Sequence, residues 1–145
     1  MLWSHYAAKH QGVALGFDVA ESIAKQVSYE VARLKEKLPK GVTSITKAFE
    51  EMLIRTKFES WKYEREWRIL TSLQEGDKEG SLYFLPFSKK IKLVEVILGP
   101  ACHLNLLKVR KLVNEHHRDV TTFEARLAFR SFRIIARGKS VPTIP

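Results

Sequence analysis

A chain of 145 residues with 45% hydrophobic and 28% charged side chains, 7 Gly and 5 Pro, has the composition of a globular protein and excludes disordered or collagen-like classes. Its lone cysteine, Cys102, excludes an internal disulfide and fits a reducing compartment. The formal net charge of +9 is uneven, because residues 101–145 hold 9 Lys and Arg against 3 Asp and Glu.

In chain order, Val13, Leu15 and Phe17 alternate with Ala14 and Gly16, which predicts a strand ending at Asp18 whose small-residue face permits close approach. Val27-Ser28-Tyr29 predicts a second, short strand. Ile45, Ala48, Phe49, Met52, Leu53 and Thr56 follow helical spacing, with entry through Gly41 and a cap at Thr43 or Ser44. Trp67–Ser72 and Ser81–Leu85 are expected to pair as a hairpin across a polar turn at Gln74–Gly80.

Further on, Leu93–Leu98 is almost wholly apolar and stops at Gly99-Pro100, as an interior strand does. From about Asn105, Leu106, Val109, Val113 and His116 mark one helix face, while Lys108, Arg110 and Lys111 mark the other. Thr121–Leu127 and Phe132–Ala136 predict a closing hairpin, with a helical reading of the former left open. The sum is an α+β fold, a mainly antiparallel sheet with two or three packed helices.

No repeat or Gly/Ser/Pro-rich linker divides the chain, so a single domain over 1–137 with a tail at 138–145 is expected. No run approaches the roughly 18 apolar residues of a membrane span, and the amino terminus lacks the pattern of a signal peptide. A cytoplasmic location without membrane association is expected; oligomeric state is left open.

Two stretches concentrate the rarer residue types: Trp3-Ser4-His5-Tyr6-Ala7, then His10, Gly12 and Phe17-Asp18, and later Lys57, Trp61, Tyr63, Glu64, Glu66 and Arg68. Together, in this order, they resemble a bacterial family catalogued as domain of unknown function 2971. The Ile91–Gly99 stretch also looks like that family's late strand. The resemblance implies that the chain corresponds to a carboxy-terminal portion of the family domain or to a naturally shortened copy, and that its sheet is incomplete with an exposed edge.

On a strand, Glu64, Glu66 and Arg68 share one face, so Arg68 can hold one carboxylate while the other accepts from a substrate hydroxyl. On a helix, Glu64 and Arg68 form an i, i+4 pair of structural value only. Even on a strand, an ion-pair cluster that merely fixes register is a standing alternative. His5 is a candidate for acid–base or hydrogen-bonding work and Tyr6 offers a ring and a hydroxyl; with Trp3 they suit an aromatic pocket, or alternatively a core tryptophan beside a satisfied histidine.

By analogy, the constellation resembles ADP-ribosyltransferases that use NAD, which implies Glu66 and His5 as catalytic candidates, and Trp3, Tyr6, Trp61, Glu64 and Arg68 as ligand contacts. A placed carboxylate suits that chemistry, because glycosidic cleavage develops oxocarbenium charge. A small nucleotide is then the ligand and NAD the possible cofactor. The competing class is a nucleic-acid module in which Lys108, Arg110, Lys111, Arg130 and Arg133, with Arg126 and Arg137, track phosphates while Phe129 and Phe132 stack on bases; Phe129 and Phe132 as core residues is the plainer alternative. A non-catalytic interaction domain is the third. Cys102-His103 and His116-His117 lack zinc-ligand spacing, so no metal is expected.

Overall fold

In the computed structural model, which describes residues 2–33, 45–131 and 133–138, helices separate runs of mostly short strands. In chain order these are α1 (Leu2–Tyr6), β1 (Val13–Val19), β2 (Ala24–Gln26), β3 (Ser28–Glu30), α2 (Lys47–Arg55), β4 (Thr56–Phe58), β5 (Trp67–Ile69), β6 (Asp77–Glu79), β7 (Leu82–Phe84), β8 (Ile91–Leu98), α3 (Leu106–His116), β9 (Thr121–Leu127) and β10 (Ile134–Ala136). They group into two compact units, Met1–Val19 with Phe87–Pro145, and Ala20–Pro86. Among the described residues, four of six strand pairings are antiparallel, so the α+β expectation holds.

The first unit is built on a sheet of order β1-β8-β9-β10. β8 is its apolar centre, antiparallel to β1 and parallel to β9, with α3 as the crossover that parallel pairing requires. Leu93, Val96, Leu98 and Val120 form the buried core, and Leu106, Val109 and Val113 of α3 pack against it with half-buried Cys102. Val94 is the extra residue of a bulge, since Gly16 lies opposite Glu95 while Phe17 lies opposite Leu93. That extra residue shifts the alternation, so Leu93 joins Val96 and Leu98 on the buried side. Gly16 accommodates the close approach: a Cβ there would meet the Glu95 Cβ at 3.0 Å.

Between α1 and β1 the backbone turns left-handed through Ala8, Lys9 and His10, at φ 45°, 54° and 72°. Side chains resist this conformation, so the turn is held from outside. His10 N–H donates to the Trp3 carbonyl at 3.2 Å and Gly12 N–H to that of Ala7 at 2.9 Å. From the far end of β8, Gly99 N–H donates to the Gly12 carbonyl at 2.9 Å, and Ala101 N–H to that of His10 at 3.1 Å.

Several expectations change in position. α2 is capped not at Thr43 or Ser44, which lie with Gly41 outside the described residues, but at Thr46, whose Oγ1 accepts from Phe49 N–H at 3.3 Å. Thr56 leaves the helix, its hydroxyl donating to the Met52 carbonyl at 2.7 Å, and begins β4. The hairpin expected between Trp67–Ser72 and Ser81–Leu85 does not form. β5 pairs with β2, while β7 pairs with β6 across Gly80-Ser81, where Gly80 takes φ 62°. A two-residue turn with a left-handed glycine pairs its immediate flanks, which outcompetes the longer connection.

In α3 the cap is Asn105, whose Oδ1 accepts from Lys108 N–H at 3.1 Å. His116, expected on the packed face, is exposed; the neighbouring His117 lies half-buried with its ring 5.5 Å from that of Phe87. β9 and β10 form the expected closing hairpin, which removes the helical reading; Phe132 and the tail from 139 lie outside the described residues.

Candidate functional site

The densest polar chemistry lies in the Ala20–Pro86 unit. β3 and β4 run parallel with Tyr29 opposite Lys57, and β2 and β5 run antiparallel with Gln26 opposite Trp67. A 3-10 turn at Glu59–Glu64 leads from β4 and ends on Arg65, which is left-handed at φ 48°. This reversal returns the chain alongside its own start, so Lys57 meets Glu64 and Glu66.

Lys57 Nζ donates to Oε2 of both carboxylates, at 3.1 Å for Glu66. Arg68 Nε donates to Glu66 Oε1 at 2.6 Å, and its Nη1 donates to the Ile54 carbonyl at the end of α2. The backbone fixes Glu66 too: its N–H donates to the Tyr29 hydroxyl at 2.8 Å, and its carbonyl accepts from Val27 N–H at 3.0 Å. Trp61 closes one side, its ring centroid 4.9 Å from Lys57 Nζ and 6.1 Å from the Tyr63 ring. Side-chain exposure is 5% at Glu64 but 28% at Glu66, so the first is enclosed and the second remains accessible.

The charges set each other's protonation. Arg68 and then Lys57 hold the Glu66 carboxyl below the usual carboxylate range, overriding burial. Glu64 and then Glu66 raise Lys57 well above the ordinary lysine value. Glu66 in turn raises Arg68. Glu66 is thus a permanent anion near neutral pH, suited to accepting hydroxyl hydrogen bonds or stabilising positive charge rather than shuttling protons.

Glu64 ends the 3-10 turn and Glu66 precedes β5, so the anticipated single strand is incomplete. Its one-sidedness survives nonetheless, with Glu64, Glu66 and Arg68 half-buried and Tyr63, Arg65 and Trp67 exposed. Lys57 is the member that strand reasoning missed, along with Tyr29; the lysine's place in the motif was the available signal.

Both motifs found in the sequence fall inside the match to a family model described as Protein of unknown function (DUF2971), which covers residues 2–69. Over that span the chain is similar to the DUF2971 family. The matched segment is amino-terminal in this chain and stops at the end of β5, so Ile91–Gly99, expected to be part of the resemblance, lies beyond it. No curated protein and no solved structure matches the chain.

Within the matched segment, the remaining candidates sit in the other unit, on α1. Trp3 is half-buried, and His5 and Tyr6 are exposed with ring centroids 6.5 Å apart. Of the basic residues, Lys108 and Lys111 are exposed on α3, whereas Arg110 Nη2 donates to the Thr122 carbonyl at 3.0 Å and helps fasten α3 to β9. Among the described residues, no helix is long and apolar enough to cross a membrane.

Proposed function

We propose that the Ala20–Pro86 unit binds a ribonucleotide of the NAD type, with Glu66 as acceptor for a ribose hydroxyl, in the manner of an ADP-ribosyltransferase-like site. The observation that carries this reading is a carboxylate fixed by two cations and yet 28% exposed. A carboxylate offers about four acceptor positions, and two are used by Lys57 and Arg68, which leaves capacity for a ligand. Being ionised and fixed in advance, it favours positive charge developing at a ribose carbon without reorganising.

Two neighbouring features fit such a ligand. The partly exposed Trp61 ring offers a surface for a base. Lys57 also lines a cavity of about 620 Å³ with Arg33, Glu30, Leu53 and Phe58, within the size range of small-molecule sites. Arg33 supplies a cation for phosphate there.

Calorimetric titration with NAD tests the reading. Wild-type chain is expected to bind, and Glu66→Gln to lose the binding heat while keeping its far-ultraviolet circular dichroism. A wild-type chain that gives no heat, or a Glu66→Gln variant that binds NAD equally well, would reject the proposal.

A further inference from the structure

We propose that the turn joining β9 to β10 is a binding surface for single-stranded nucleic acid, with Phe129 as its stacking platform. This surface belongs to the unit that lacks the Glu66 cluster, so it stands independently of the nucleotide reading. From Arg126 to Arg137 the chain carries four arginines and no acidic residue.

The hairpin distributes those charges unequally. At its foot, Arg137 is neutralised by Glu124 at 3.3 Å. Towards its tip, Arg126, Arg130 and Arg133 have no carboxylate partner among the described residues. Ala128 N–H donates to the Arg133 carbonyl at 2.9 Å, which closes the ladder directly beneath Phe129 and Arg130. The tip is therefore a small cationic projection on a paired base.

Phe129 is 93% exposed, which removes its alternative reading as a core residue. The Arg126 guanidinium lies 4.9 Å from the ring centroid, a cation–π contact that steadies the ring and leaves it open to solvent. Leaving such a ring in water forfeits the free energy that covering it supplies. Uncompensated arginines on either side select, among possible covers, a polyanion with flat apolar faces. Single-stranded nucleic acid has that chemistry, whereas a duplex hides its base faces in the stack.

The test is fluorescence anisotropy of a labelled oligothymidylate with the full chain, over roughly 50 to 200 mM salt. Affinity is expected to fall with salt at a log–log slope of about −2, three arginines each contributing roughly 0.7 on a single strand. Phe129→Ala should weaken binding roughly 5- to 150-fold at unchanged slope, as loss of one stacked base does. Arg130→Ala with Arg133→Ala should flatten the slope by about 1.4. Because these residues are exposed, circular dichroism should not change. Absence of binding at low salt, insensitivity to Phe129→Ala, or equal affinity for a duplex of the same length would overturn the proposal. So would binding to phosphatidylserine vesicles that depends on Phe129 while the oligonucleotide is ignored, since the surface would then be a membrane contact.

Discussion

Glu66 and Lys57 each serve two partners, so substituting either is felt beyond one bond. Lys57→Met places two carboxylates side by side without their shared cation, and should cost about 3 kcal/mol in urea unfolding. Glu66→Gln retains shape and an acceptor, and should cost less, about 1–2 kcal/mol. The pH dependence has two limbs. Glu66 is lowered by Arg68 and Lys57, so its contribution is full above the ordinary carboxylate value of about 4.3 and is lost as pH falls through the lower folded value. Lys57 is raised by Glu64 and Glu66, so its contribution is full below about 10.4 and is lost only as pH climbs through the higher folded value. The contribution of this cluster should therefore be constant between the limbs, and Glu66→Gln should make the acid limb shallower while leaving the alkaline limb to Lys57 and Glu64.

At the scale of elements, the junction of the left-handed turn with β8 is the tightest of the glycine sites among the described residues. A Cβ on Gly99 would meet the Gly12 carbonyl at 2.8 Å and the His10 backbone as well, and backbone cannot give way as a side chain can. Gly99→Ala is expected to lose about 3 kcal/mol or more, while Gly80→Ala, in open space but at φ 62°, should lose only about 1–2 kcal/mol of conformational strain. Thr46→Ala should cost about 1 kcal/mol through the lost cap on α2. Thermal unfolding of the three variants tests this ranking. The strands at Val13–Val19 and Ile91–Leu98 and the helix at Leu106–His116 were legible because apolar spacing and flanking glycine or asparagine agree with one another. Strand partners were less legible. Trp67–Ile69 carries no local mark that it pairs with Ala24–Gln26, because pairing across a long separation is decided by tertiary packing, whereas Gly80 did mark the turn that captured Leu82–Phe84.

Over the whole molecule, the Ala20–Pro86 unit interrupts the chain of the other between β1 and the segment leading to β8. Each unit has its own hydrogen-bond network, which predicts separable local opening. Hydrogen exchange on Lys57→Met should accelerate at β3, β4 and β5 while the amides of β8 stay protected; uniform acceleration would mean that the two open together. The same division explains how the site was read. Glu64, Glu66 and Arg68 were found from period-two spacing within one short segment, but Lys57 and Tyr29 meet them only through a left-handed Arg65 and a parallel pairing that no spacing rule announces. Phe129 shows the opposite case, since its sequence leaves a stacking role and a core role both open until its exposure removes the second.

The proposed ribonucleotide would sit at Glu66 and Trp61, where an aromatic reporter is built in. The chain has three tryptophans, Trp3, Trp61 and Trp67, so its indole N–H signals in nitrogen-15 spectra form a small, assignable set. Titration with NAD should shift the Trp61 signal in the wild-type chain and leave it unmoved in Glu66→Gln. A Trp61 signal that stays fixed in the wild-type chain, or moves identically in both, would contradict a ribonucleotide at Glu66.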